Sequence, residues 1–387
     1  MAKQNIIFPS LDTPAVLVDM DKLEANIKRM SQVAAEAGVR LRPHIKVHST
    51  AEIAKMQIEA GACGIEVGSV DQAASMVEEG LEDILVAHPF YGPHKFETFK
   101  GLLEKPNLKI AAVVDMIEHA EGLSKVGQAV GRKVPVLIKI ATPGNPRFGL
   151  TSGEAVLDMA KKIRQLPGVE FAGLYGHEMG AKPTAEGVDE SAFTAATVVT
   201  DIAKMLKKEG IPLEHVSVGA SCTFESTCRF KKEGKFPEIT EVHPGQRIVG
   251  DMWYMRGRGN TRESCAGTVL ATVISTSWPD WAMIDVGYKT MGADSVIGFR
   301  DAPGFFWNGK PSFGSIQGRP DLWLGRLSAE SSNIFYMDPS KKLNLGDRLE
   351  IVPNNITLVI TIHDQIYGVR NGKVEKVIQV TGRKRGI

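Results

Sequence analysis

The chain has 387 residues, 43% of them hydrophobic and 24% charged, with a formal net charge of +1; this is ordinary globular composition with room for about two domains of ~150 residues each. A charge so near zero gives no drive toward nucleic acid or an anionic membrane, and no apolar run approaches the ~18–20 residues of a membrane span. The opening "MAKQNIIFPSLDTP" carries no signal-peptide pattern, and Cys63, Cys222, Cys228 and Cys265 have neither zinc-type spacing nor the density of a disulfide framework, so a cytoplasmic protein with reduced thiols is expected.

In chain order, a short strand pattern, "PAVLVDM" (14–20), precedes a helical pattern, "DKLEANIKRMSQVAAEAG". Apolar or β-branched runs then recur at 39–48, 64–67, 83–88, 109–115, 134–141, 169–175, 215–220 and 239–245. Between them lie stretches such as "TAEIAKMQIEAGA" and "ESAFTAATVVTDIAKMLKKEG", with apolar residues at helical spacing and closing glycines that suit helix C-caps. Alternating strand and helix predicts a parallel sheet, and eight units predict a closed (β/α)8 TIM-type barrel, with an open doubly wound sheet as the alternative. After about residue 255 the texture becomes strand-rich, with the hairpin signal "RNGK", which predicts a C-terminal antiparallel β domain. The expected division is a barrel over 20–255 and a β domain from 1–19 plus 256–387, the strand at 14–20 pairing with the latter.

The stretch "RPHIKVHST" (42–50) alternates: Pro43, Ile45 and Val47 on one parity, Arg42, His44, Lys46 and His48 on the other. Read as a barrel strand, it points the polar set inward and puts Lys46 near the C-terminal mouth, where such barrels carry their active sites. A lysine crowded by cations and imidazoles has a depressed pKa, which is what an amine needs to attack a carbonyl. The competing reading is an edge strand with a wet polar face.

"LDTPAVLVDMDKLEANIKRM" followed by "VRLRPHIKVHST" resembles the D-threonine aldolase and D-serine dehydratase group of alanine racemase-like (fold type III) pyridoxal-phosphate enzymes. That resemblance implies that Lys46 forms the Schiff base with pyridoxal 5'-phosphate. By the same resemblance "PRFGL" would place Arg147 against the cofactor ring oxygen, and "GLYGH" would place His177 on the ring face. "VSVGASCT" resembles the family's phosphate loop, so Ser217, Gly219, Ala220, Ser221 and Thr223 are cofactor-binding candidates; small residues there let backbone N–H groups approach a phosphate. "EVHPGQRIVGD" adds Gly245 and Gln246 near the phosphate. Lys46, His44 and His177 are the catalytic candidates, with Glu178 and His363 as further possible bases. A homodimer is implied by the resemblance alone.

The sequence departs from the family at the metal. The resemblance implies a divalent ion beside the cofactor, but its ligand positions fall on Asn355 and Thr357 in "VPNNIT". An amide and a hydroxyl are poor zinc ligands, which puts the ion in doubt; His363 and Asp364 are the nearest substitutes. The implied activity is a lyase acting on D-3-hydroxy amino acids, first as a D-threonine aldolase-type retro-aldol cleavage to glycine and an aldehyde. Dehydration of D-serine or D-3-hydroxyaspartate, amino-acid racemisation, and a pyridoxal-phosphate carrier without catalysis are the alternatives. "DAPGFFWNGKPSFG" (301–314) is either a loop over the site or a surface insertion.

Overall fold

The computed structural model describes residues 7–142, 147–179, 182, 184–255, 261–292, 306–307 and 309–383. The chain divides into two compact units, one from Met1–Asn26, Gln246–Arg256 and Asn260–Arg383, the other mainly from Ile27–Gly245.

In the Ile27–Gly245 unit eight parallel strands form one sheet: Arg40–Leu41, Ile65–Val67, Asp83–Val86, Lys109–Val114, Val134–Ile140, Val169–Gly176, His215–Ser217 and Glu241–Val242. From Ile65–Val67 onward each strand pairs with the next, and Glu241–Val242 returns to pair with Arg40–Leu41. The remaining seam is a single bridge between His44 and Glu66, supported by the Glu66 N–H on the Pro43 carbonyl at 2.9 Å. The sheet is therefore the closed barrel expected, and the open doubly wound alternative is excluded.

The strands read as near-continuous apolar runs because both faces are covered. In the third strand Ile84, Leu85 and Val86 are all buried, and Leu85, Val113, Leu137 and Tyr175 belong to one cluster. Each such side chain contributes roughly 1.5–3 kcal/mol. The helices that follow the strands open on capping hydroxyls: Thr50 accepts from the Ile53 N–H, Ser69 from Gln72, Ser152 from Ala155 and Thr184 from Gly187.

One element differs from expectation. The strand expected over 39–48 ends at Leu41, and Ile45–Val47 is a turn of 3-10 helix. Pro43 has no N–H to give to a ladder, and the chain leaves the sheet there to reach the helix Ala51–Glu59. The polar residues at 42, 44, 46 and 48 therefore do not share one face.

In the other unit Ala15–Asp19 lies between Gly267–Ser275, antiparallel with Val16 opposite Val269, and Gln365–Arg370, parallel with Leu17 opposite Tyr367. The parallel pair departs from the wholly antiparallel domain expected. No hairpin forces the direction of strands about 350 residues apart in sequence, whereas the other pairs of this unit are antiparallel. The "RNGK" hairpin forms as expected: Asn371 and Gly372 take φ of 51° and 72° between Gln365–Arg370 and Lys373–Gln379, the backbone of a type I′ turn. Of the stretch 301–314, residues 301–305 and 308 lie outside the described residues, and Phe306–Trp307 pairs with Lys310–Pro311. No helix among the described residues is long and apolar enough to cross a membrane, and no disulfide joins the four cysteines.

Candidate active site

At the C-terminal ends of the barrel strands a small cleft is lined by His44, Lys46, His88, Lys139, Arg147 and His177, with Ala87, Phe148 and Tyr175 behind them. Lys46 reaches it from the 3-10 turn, whose position is fixed from both sides. Before it, the Lys46 N–H donates to His44 Nδ1 at 3.4 Å. After it, the fully buried His48 accepts the Thr50 N–H at Nδ1 (3.1 Å) and faces Gln57 Oε1 through Nε2 (3.2 Å). Ser49 adopts φ of 50°, an uncommon conformation for a residue with a Cβ, and is held there by the Gln72 amide on its hydroxyl at 3.0 Å. Gly245 packs so closely that a Cβ on it would stand 2.4 Å from the His44 carbonyl oxygen.

Burial pushes the Lys46 amine below the ordinary lysine range; Glu66 opposes that shift and Arg147 adds to it. Burial, then Lys46 and His88, pushes His44 well below the usual imidazole range. A neutral ring that accepts at Nδ1 carries its proton at Nε2, the nitrogen 3.6 Å from Glu66 Oε1. His177 is neutral for the same reasons, burial first, then His243 and Lys46. Its ring lies 24° from that of His243 at 5.3 Å, Nδ1 facing His243 Nε2 at 3.2 Å, and His243 Nδ1 meets Ser217 Oγ at 2.8 Å.

The remaining residues expected in the site scatter. Arg42 and His48, expected beside Lys46, are elsewhere: Arg42 pairs with Asp83 at 2.5 Å and Glu241 at 3.2 Å at the opposite end of the barrel, and His48 serves the turn itself. In the loop after His215–Ser217, the Ala220 N–H donates to Glu178 Oε1 at 3.0 Å and the Thr223 hydroxyl donates to the same oxygen. Those donors, expected to face a phosphate, instead hold the loop to a buried carboxyl. Ser221 Oγ accepts the Gly245 N–H at 2.9 Å. Gln246 belongs to the other unit, where its amide donates to Asp251 at 2.5 Å and accepts the Thr357 hydroxyl at 2.9 Å. Asn355 stands at the N-cap position of the helix Ile356–Thr361 without a side-chain capping bond, His363 Nδ1 meets the Val359 carbonyl at 2.7 Å, and Asp364 pairs with Arg383 at 2.6 Å. The described residues contain no group of three or more His, Cys, Asp or Glu side chains able to hold a metal. An amide and a hydroxyl bring no charge, and the Thr357 hydroxyl is bonded to Gln246, so Asn355 and Thr357 do not fit a zinc site.

Glu66, His88, Lys139, Tyr175 and His243 escaped the sequence reading. Tyr175 donates to Glu66 Oε1 at 2.6 Å, and Lys139 Nζ stands 4.2 Å from the centre of the Tyr175 ring. The signal was a lone charge inside an apolar run, Glu66 in "GIEV" and Lys139 in "VLIKIA".

The side chains present suit an aldehyde cofactor: an amine kept toward its neutral form, a guanidinium at Arg147 and an imidazole at His177 line one cleft. Fold and site thus define a (β/α)8 barrel that presents a buried lysine amine, held below its ordinary range, at its mouth. Comparison with known proteins carries this further. The profile of the alanine racemase N-terminal domain matches residues 18–252, and that of a serine dehydratase domain matches residues 266–369. The chain is 29% identical to the D-threonine aldolase of Arthrobacter sp over 96% of its own length and 93% of that protein's. It is 30% identical to the D-threo-3-hydroxyaspartate dehydratase of Delftia sp. over 89% and 91%. The solved D-threonine aldolase from Filomicrobium marinum superimposes with a TM-score of 0.84 at 27% identity, covering 99% of this chain and 98% of that one. The chain belongs to the alanine racemase-like family.

Proposed function

We propose that the protein is a pyridoxal-phosphate-dependent lyase of D-3-hydroxy amino acids, cleaving them to glycine and an aldehyde. The observation that supports it most is the Lys46 amine, set in the barrel mouth and held toward its neutral form beside Arg147 and His177. Relatives at 28–30% identity include two aldolases and a dehydratase of such substrates.

When bound, pyridoxal phosphate supplies an electron sink for the substrate carbon that carries the amino group. Lys46 Nζ would hold the cofactor at its aldehyde group and would take up a proton on its release, with Arg147 and His177, which line the same cleft, helping to hold the ring. The Ser221 hydroxyl, which accepts the Gly245 N–H, would donate to the phosphate end; Ala220 and Thr223 position that loop through Glu178. His177, kept neutral, would be the base for the 3-hydroxyl proton whose removal opens the carbon–carbon bond; His44, kept neutral with Nδ1 accepting the Lys46 N–H, would hold the turn that carries Lys46. No step runs through a metal.

Absorption spectra of wild type and Lys46→Ala, with D-threonine added after chelator treatment, test this. A visible band lost in the mutant, with glycine and acetaldehyde formed by wild type, is expected. Keto acid and ammonia in their place would make the protein a dehydratase. A band without turnover of any D-3-hydroxy amino acid would leave only the cofactor reading, and no band after reconstitution would overturn both.

A further inference from the structure

Three imidazoles line the cleft with Lys46: His44, His88 and His177. His44 is committed at both nitrogens, Nδ1 to the Lys46 N–H and Nε2 at 3.6 Å from Glu66 Oε1. His177 meets His243 through Nδ1. His88 has no role in the chemistry above, and its bonding is different. It lies two residues beyond the strand Asp83–Val86, half-buried, with Nδ1 3.0 Å from the Gly68 carbonyl oxygen. A carbonyl can only accept, so Nδ1 carries a proton, and in the neutral ring Nε2 carries a lone pair. Among the described residues Nε2 has no hydrogen-bond partner. The ring also packs against those of Phe148 (5.7 Å between centroids) and His44 (6.4 Å), which with the Gly68 bond hold it in place. Burial first, then Lys46, pushes His88 below the usual imidazole range, against the Gly68 bond and with Lys139 and Arg147 adding. The cleft therefore holds one imidazole with a fixed tautomer and an uncommitted lone pair.

We propose that His88 is a further catalytic residue, whose Nε2 takes a proton from the ammonium group of the incoming amino acid. This rests on the reading of Lys46 as the lysine that holds the cofactor. An amino acid arrives at neutral pH as an ammonium, which has no lone pair with which to attack and displace Lys46. One N–H bond of that ammonium breaks, its electron pair stays on the substrate nitrogen, and the proton goes to Nε2. The nitrogen is then free to attack. The imidazolium passes the same proton to the Lys46 amine as that amine is released, so none is gained or lost over the exchange. The surroundings suit both halves of this transfer. The Nδ1–H bond to the Gly68 carbonyl strengthens when the ring becomes charged, and the nearby cations favour handing the proton on.

The test reads the exchange at Lys46 and not turnover. Full-length protein reconstituted with pyridoxal phosphate is mixed at pH 7.5 with one of two nucleophiles, and the change in the visible band is followed by stopped flow. D-alanine arrives as an ammonium and has no 3-hydroxyl to cleave; hydroxylamine arrives neutral and needs no base. His88→Asn keeps an amide donor for the Gly68 carbonyl but puts nothing in the place of Nε2. In that variant exchange with D-alanine should slow by roughly a hundredfold, exchange with hydroxylamine should be unchanged, and added imidazole should restore part of the D-alanine rate. His88→Gln should show the same contrast and decides the matter if His88→Asn does not fold. Equal slowing with both nucleophiles overturns the proposal and makes His88 a packing residue; so does D-alanine exchange at the wild-type rate. Either result, with a band present, leaves the cofactor reading intact. A wild-type protein that gives no band sinks that reading and the proposal with it.

Discussion

His48 holds Lys46 in place without touching the cleft. Its ring is fully buried, accepting the Thr50 N–H and meeting two side-chain oxygens, Thr50 Oγ1 and Gln57 Oε1. Burial pushes it down to about 4, against its bonds to Gln57 and Thr50. The unfolded chain takes up that proton near pH 6.5, the folded one only near pH 4. Between the two the unfolded state binds more protons, so stability falls as pH falls, by roughly 2–3 kcal/mol across the window. His48→Gln keeps a donor and an acceptor but cannot charge. Urea midpoints for the mutant should differ less between pH 4.5 and 7.5 than those of wild type; an equal difference removes His48 as the cause.

Among the elements, the 3-10 turn Ile45–Val47 taught most about reading the sequence. Alternation of polar and apolar residues is what a strand with one polar face shows. It is also what a segment leaving a sheet shows when each polar side chain finds a separate partner: Arg42 the barrel floor, His44 and Lys46 the cleft, His48 the next helix. Period alone cannot separate them, and Pro43 was the available hint. The eight strands were legible because burial on both faces leaves an unbroken apolar run. Glu66 and Lys139 were hidden by the same feature, since a single charge in such a run has no partner nearby in sequence. The turn's dependence on its neighbour gives a prediction. In Gly245→Ala the new methyl meets the His44 carbonyl and displaces the turn. A cost of about 1–3 kcal/mol and at least a tenfold fall in covalent capture of pyridoxal phosphate at Lys46 are expected. Borohydride trapping read by mass spectrometry, beside a thermal melt, checks both.

Within the barrel unit the interior is layered, and the layers divide the labour. The mouth holds Lys46, the middle holds Glu66, Lys139 and Tyr175, and the floor holds Arg42, Asp83 and Glu241. In the floor, burial alone would raise Glu241, but its hydrogen bond to His215 and the charges of Arg42, His215 and Arg40 carry it down to about 2. A carboxyl lowered in the fold stabilises it above the unfolded value near 4.3, and that contribution is lost as pH falls toward 2. Glu241→Gln leaves Arg42 half-matched in a buried place, so a loss of about 3–5 kcal/mol at pH 7 is expected. The gap from wild type should narrow as pH is lowered from 4.5 to 2.5 in denaturant titrations; a gap that stays constant assigns the loss to packing rather than charge.

Arg40–Leu41 pairs with Glu241–Val242 across two hundred residues of chain, and this fixes an order of events during synthesis. The ribosome delivers Lys46 early, but its turn cannot be seated until the last barrel strand and Gly245 have emerged. Until then the nascent sheet has two open edges, at Ile65–Val67 and at whichever strand is newest, and unpaired edges recruit other chains. The barrel finishes as one late cooperative event rather than growing unit by unit. A release of the chain before residue 245 therefore yields an aggregation-prone fragment that already contains Lys46 but has no cleft around it.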